Sequence, residues 1–346
     1  MKKQESPLYV NLDYEGHVKR LAQNENPYGP SPLAKEAIAQ NINKISLYPD
    51  VVLTELKEKL AAKHHVSPQE IIVSNGSGAI INSLIKFMMG NTENIVVPEI
   101  SFVAYKLCAA IYERECRIVP MKNYSIDLHQ IAQSCDEKTR LVFLANPNNP
   151  TGTIFTHAEI VEFLNQIPPD TIVVLDEAYR EYVNHPDFPD SIQLFKNHVN
   201  VIILHSFSKI YGLAGLRIGY GIGQKSIIES LEKKRLPFAV GSIANIAALA
   251  SLDDKEHIRE SASLNAGSRD FLFNELSRLG YQVIPSQGNF IFISFPSTAE
   301  RDQMHDTLME NKMVVRKMEA FGDNRALRIS LGSKEANGQL VDCLKK

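Results

Sequence analysis

Three apolar runs, RLVFLAN (140–146), TIVVLDEAY (171–179) and NVIILHS (200–206), most constrain the fold of this chain. Each is too short for a core helix and apolar on both alternating faces. A strand of that kind must be buried on two sides, which is the signature of a parallel sheet covered by helices. EIIVSN (70–75) and NIVVP (94–98) extend the series, and helical stretches such as GAIINSLIKFMM and SFVAYKLCAAIY follow them. The expected class is therefore α/β. At 346 residues the chain exceeds one average domain. Its texture changes near residue 250. A charged helical stretch there leads to a second strand set, YQVIPS, NFIFISF, VVRKM and ALRISLG, with helices at 298–311 and near the C-terminus. The expected organisation is an N-terminal arm over 1–45 packed on the second module, a large domain over 46–250 and a smaller α+β domain over 251–346.

In open parallel sheets ligands bind beyond the carboxyl ends of the strands, so the polar residues at those ends matter. TIVVLDEAY delivers Asp176, NVIILHSFSK delivers Ser206, Ser208 and Lys209, and RLVFLANPNNPTG delivers Asn146, Asn148 and Asn149. Taken singly, each has a plainer reading: a helix cap, a surface lysine, a tight turn. SNGSGAI adds a glycine turn at a helix start, where backbone N–H groups and partial positive charge favour an anion. No lysine follows as in a P-loop and no third glycine as in GxGxxG, which points away from a nucleotide. One smaller cofactor needs all these groups together. Pyridoxal phosphate has an aldehyde that calls for a lysine of lowered pKa, matched by Lys209 with Arg217 near it. Its ring nitrogen calls for a carboxylate, matched by Asp176. Its ring hydroxyl calls for donors, matched by Tyr179 and Asn149. Its phosphate calls for the glycine turn, hydroxyls and a cation, matched by Ser77, Gly78, Ser206 and Arg217.

NPNNPTG, DEAY, SFSKIYGLAGLRIGY and LRISLG together resemble the aspartate aminotransferase superfamily of fold type I. NENPYGPSP, YPD at 48–50, RLPFAVGSIA and GNFIFI are similar to histidinol-phosphate aminotransferases and their relatives. The resemblance spans roughly residues 20–340. It implies a large domain with a mostly parallel seven-stranded sheet, pyridoxal 5′-phosphate, and Lys209 as the amine that reacts with the aldehyde. It implies Asp176 at the ring nitrogen, Tyr179 and Asn149 at the ring oxygen, and Phe102 stacked on the cofactor face. By residues alone Phe102 reads as helix core. Ser77, Gly78, Ser206, Ser208 and Arg217 match the phosphate cup. Tyr48 matches a tyrosine that reaches the cofactor of a neighbouring subunit, implying a homodimer with shared sites. For substrate, the resemblance assigns Arg328 to a carboxylate, Arg316 and Tyr28 to the phosphate of histidinol phosphate, and Asn26 and Asn289 to the pocket. Two departures stand out: Ser101 replaces the usual threonine, and KMEAFGDN (317–324) places Glu319 beside the expected anion site.

The implied reaction exchanges an amino group between histidinol phosphate and 2-oxoglutarate. An aromatic amino acid aminotransferase and a threonine-phosphate decarboxylase are the alternatives. A net charge of −3 gives no field for nucleic acid or acidic membranes. Ten histidines show no metal-ligand spacing, and the adjacent pair His64–His65 reads as surface. Four cysteines without a CxxC pair read as reduced thiols. With no secretory leader pattern or membrane-length apolar run, the expected location is the cytoplasm, with no nucleic-acid or membrane partner.

Overall fold

The computed structural model describes residues 18–345. After a short strand, β1 (Lys19–Arg20), the chain builds a seven-stranded sheet from β2 (Ile71–Ser74), β3 (Asn94–Pro98), β4 (Glu115–Val119), β5 (Thr139–Ala145), β6 (Ile172–Asp176), β7 (Val201–Ser206) and β8 (Gly219–Ile222). The spatial order is β2-β8-β7-β6-β5-β3-β4. All neighbours run parallel except β8, which is antiparallel to both β2 and β7. The alternation expected of doubly buried strands is realised residue by residue. Val142, Leu144, Val173, Leu175 and Ile203 face one apolar core, while Leu141, Phe143, Ile172, Val174, Ile202 and Leu204 face another. Burying both faces is what a parallel sheet requires, and the sequence supplies no polar face to leave in water.

A second, antiparallel sheet follows helix 255–278. Its strands are β9 (Gln282–Ile284) and β10 (Phe290–Ser294), then, beyond β11 (Met313–Val314), which lies outside this sheet, β12 (Arg316–Lys317) and β13 (Ala326–Ser330), in the order β12-β13-β10-β9. Residue 250 lies inside helix 242–253, and the helical path breaks at Asp254, whose side chain caps helix 255–278. The described part of the arm divides its contacts. β1 pairs in parallel with β11 of the second module, whereas helix 32–41 packs on helix 242–253. Residues 1–17 of the expected arm lie outside the described residues.

The His64–His65 pair departs from the expected surface position. Helix 54–64 ends at His64, and His65 takes a left-handed conformation at φ 54°. His65 is exposed, but His64 turns inward, 2.8 Å from the Tyr220 hydroxyl and stacked 5.2 Å from the His205 ring. Adjacent residues on a helix point apart, and one of the two faces here is the sheet. Among the described residues no helix is long and apolar enough to cross a membrane.

Candidate active site

The parallel register fixes the site. Ala145, Asp176 and Leu204 are partners across β5, β6 and β7, so Asn146, Asp176 and Ser206 emerge at one sheet edge. Asp176 is 4% exposed. Its Oδ2 accepts from the Tyr105 hydroxyl at 2.9 Å and its Oδ1 from the Ala178 N–H at 3.2 Å. Burial pushes the Asp176 carboxyl up, opposed by these two donors and by the Lys209 charge.

Lys209 follows β7 and donates from Nζ to the Gln23 carbonyl at 3.0 Å. Its ammonium stands 5.6 Å from the Tyr179 ring centre. Burial, then the Arg328 and Arg217 charges, lower its pKa to about 7, with Glu25 and Asp176 pulling the other way. A lysine so poised is half neutral near physiological pH and nucleophilic, which answers the cost of placing it there.

The glycine turn forms a cradle. Gly76 (φ 82°) precedes helix 77–88, and no side chain caps that helix. A Cβ at Gly76 would lie 2.7 Å from Arg217 Nη2, and one at Gly219 would lie 2.6 Å from the Ser77 N–H nitrogen. Only glycines let the Arg217 guanidinium and β8 approach this helix start so closely. Arg217 Nη1 donates to Ser208 Oγ at 3.3 Å, and the Ser208 N–H donates to Ser206 Oγ at 3.0 Å. A helix N-terminus, two hydroxyls and a cation thus converge as an anion cup.

Across the cleft, Arg316 and Arg328 are partners on β12 and β13. Arg328 donates from Nη1 to Asn149 Oδ1 and from Nη2 to the Ala22 carbonyl at 2.6 Å. Burial lowers its pKa to about 10, with Tyr179 opposing and Arg316 adding to the fall. Asn24 Nδ2 donates to the Tyr179 hydroxyl at 3.0 Å. Phe102 is not in a helix core. It sits in the loop before helix 104–111, partly buried, its ring edge-on to Tyr105 at 5.6 Å. Ser101 keeps the hydroxyl of the usual threonine and donates to Asn148 Oδ1 at 2.8 Å, tying this loop to the NPNNPTG turn.

Lys209 thus stands beside Tyr179 and feels the charges of Asp176 and Arg328, Arg328 holds Asn149, and Ser77, Gly78, Ser206, Ser208 and Arg217 gather at the cup. Asn26 lines a cavity with Glu25 and Ser208, and both it and Asn289 also make hydrogen bonds that hold the arm. Asn26 Nδ2 binds the Ile210 carbonyl at 2.8 Å, and Asn289 Nδ2 binds the Asn24 carbonyl at 3.0 Å, so both fasten the arm over the site. Tyr28 is half-buried, its N–H donating to Asn26 Oδ1 at 3.1 Å. Tyr48 is 82% exposed against Phe238. Glu319 pairs with Arg301 of helix 298–310. Sequence reasoning missed Tyr105, Asn24 and Gly219. Asn24 lay within the quoted NENPYGPSP, but nothing in one sequence tells its role from that of Asn26.

The family model for aminotransferase class I and II matches residues 17–344. The chain belongs to this family. It is 41% identical over 329 residues to the histidinol-phosphate aminotransferase of Anaeromyxobacter sp. (strain Fw109-5), covering 95% of this chain and 90% of that one. It superposes with a TM-score of 0.88 on histidinol-phosphate aminotransferase from Sinorhizobium meliloti in complex with pyridoxal-5′-phosphate, at 26% identity over 99% and 98% of the two chains. The L-threonine-O-3-phosphate decarboxylase of Porphyromonas gingivalis superposes at 0.79 with 25% identity, over 95% and 98%. As a class I and II aminotransferase of fold type I, the chain uses pyridoxal 5′-phosphate and takes an amino donor and a 2-oxo acid. The glycine cradle, the lowered Lys209 pKa and the buried Asp176 fit that cofactor.

Proposed function

We propose that this aminotransferase moves an amino group between histidinol phosphate and 2-oxoglutarate in histidine biosynthesis. The observation that carries the substrate assignment is the paired Arg316 and Arg328 on one sheet face, beside a relative of that activity at 41% identity. Two guanidinium groups suit a phosphate in one half of the cycle and a dicarboxylate in the other.

Asp176 would hold the cofactor at its ring nitrogen, Tyr179 and Asn149 at its ring oxygen, and Phe102 against its face. Ser77, Gly78, Ser206, Ser208 and Arg217 would hold its phosphate. When bound, pyridoxal phosphate supplies an electron sink for the charge left when a proton leaves the amino-bearing carbon. Lys209 Nζ first anchors the cofactor. Its amine, when free, would take that proton as base and deliver it as acid. A pKa near 7 suits both tasks. Asp176 stabilises positive charge at the ring nitrogen from a site that excludes water. Arg328, fixed by Asn149 and the Ala22 carbonyl, receives the carboxylate. Arg316 receives the phosphate, with Tyr28 as a further donor.

Two copies would complete the site. Tyr48 and Phe238 form an exposed apolar patch with Leu47 and Leu236, and a second copy seated there would receive Tyr48 in its phosphate cup. The test is a donor panel with 2-oxoglutarate, reading glutamate. Histidinol phosphate is expected to be the best donor. Turnover of phenylalanine alone, or carbon dioxide release from threonine phosphate, overturns the assignment. Lys209→Ala is expected to abolish turnover.

A further inference from the structure

We propose that Phe321 is a positioning residue that determines specificity for doubly anionic ligands, and that the Glu319–Arg301 ion pair anchors the turn that carries it. The inference rests on the functional reading above. Arg316 and Arg328 are cross-strand partners, and two neighbouring cations repel unless something holds them. The Phe321 ring lies beside both guanidiniums, its centre 5.8 Å from Arg316 Cζ and 5.5 Å from Arg328 Cζ. It is 4% exposed, so both contacts are shielded from water, where cation–π attraction is strongest. Arg328 is flanked on another side by Phe290 at 5.6 Å. The ring therefore braces both guanidiniums, that of Arg328 together with its bonds to Asn149 and the Ala22 carbonyl.

The turn is built to hold that ring. Phe321 N–H donates to the Met318 carbonyl at 2.9 Å, and Asp323 N–H reaches the same carbonyl at 3.2 Å. The Glu319 carboxylate is held by Arg301, a buried residue of helix 298–310. Lys317 and Arg301 both pair with Asp302, at 2.5 and 2.9 Å. Anchored there, Glu319 is kept from competing with a substrate anion for the arginine pair. Phe321 and Met318 also share an apolar cluster with Ile100 and Val103, which bracket Phe102. The anion site and the loop at the cofactor face are thereby one packed unit.

The test uses holoenzyme of wild type, Phe321→Ala, Phe321→Tyr, Arg301→Met and Arg301→Met/Glu319→Gln. Succinate, an unreactive dicarboxylate, is titrated calorimetrically, and kcat and KM are measured for histidinol phosphate and phenylalanine. Phe321→Ala is expected to weaken succinate and raise the histidinol phosphate KM by about tenfold, with kcat within about threefold. Phenylalanine, with one anionic group, is expected to lose about two- to threefold, and Phe321→Tyr to restore the wild-type ratio. Arg301→Met, which releases Glu319, is expected to weaken succinate more than the double variant does. A folded Phe321→Ala protein with succinate affinity and donor ratio unchanged overturns the proposal. Wild type that rejects histidinol phosphate, yet binds succinate in a Phe321-dependent way, defeats the substrate reading and leaves the role of Phe321 standing.

Discussion

The Tyr105 hydroxyl donates to Asp176 Oδ2 at 2.9 Å inside a fully buried pair, joining helix 104–111 to the end of β6. A hydrogen bond to a buried carboxylate contributes about 1.5–3 kcal/mol. It favours the charged form that a protonated ring nitrogen needs. Tyr105→Phe is therefore expected to lower kcat by about 10–100-fold and to weaken cofactor binding. Steady-state kinetics and reconstitution of apoprotein measure both. Unchanged values would show that the Ala178 N–H alone suffices.

The two cradle glycines separate by what a new methyl group would meet. At Gly76 the obstacle is the far end of the Arg217 side chain, at 2.7 Å, with a positive φ besides. At Gly219 it is backbone: Ser77 N at 2.6 Å, and the Gly76 carbonyl carbon and His205 oxygen at 3.0 Å. Side chains yield and backbone does not. Gly219→Ala is expected to cost about 1–3 kcal/mol of stability as well as cofactor affinity. Gly76→Ala is expected to cost about 1–3 kcal/mol of stability too, because φ 82° with ψ 160° is a backbone region that side chains rarely adopt, and to lose cofactor affinity by displacing Arg217. Thermal unfolding of the apo forms and cofactor titration measure both effects.

The sheet was legible because strands buried on both faces leave unbroken apolar runs, as in Leu141–Ala145 and Ile172–Leu175. Lys209 and Asp176 were legible because a charge directly after such a strand demands a reason. Residues that act through contacts between distant segments were not. That Asn26 and Asn289 also fasten the arm was not legible, because their partners, Ile210 and Asn24, lie 184 and 265 positions away. The inward turn of His64 depends on a left-handed His65, which no periodicity announces. Glu319 looked like an intruder on the anion site until its partner Arg301 was placed on another helix.

The Lys209 pKa near 7 has two consequences, one for stability and one for rate. Because burial lowers it, the unfolded chain binds the proton more tightly between pH 7 and the ordinary lysine value. Apoprotein stability therefore gains from this group as pH rises through that window, by at most about 1.4 kcal/mol per unit. Lys209→Met should flatten that slope in denaturant titrations. The rate at which apoprotein captures the cofactor aldehyde should rise through pH 7 and then level, since the neutral amine is the nucleophile. Arg328 is the largest charge lowering this pKa, so Arg328→Gln should move the midpoint upward.

Beneath the site, His64 and His205 stack on each other at 5.2 Å, and His205 on Tyr220 at 5.0 Å. Burial and the neighbouring Lys63 and Arg180 charges lower the His64 pKa to about 3, and burial holds His205 well below its ordinary value. Glu177, 3.8 Å from His205 Nε2, is itself paired with Arg180 at 3.0 Å and does not reverse this. Both rings are neutral in the folded protein below pH 6.5, whereas the unfolded chain protonates them. Stability should therefore fall as pH drops from about 6.5 toward 4, by up to about 1.4 kcal/mol per unit for each histidine. His64→Gln keeps a side chain able to reach the Tyr220 hydroxyl and removes one titrating group, so it should shallow the slope. Urea unfolding at pH 7.0, 6.0 and 5.0 compares the two proteins, and equal slopes would mean that His64 titrates alike in both states.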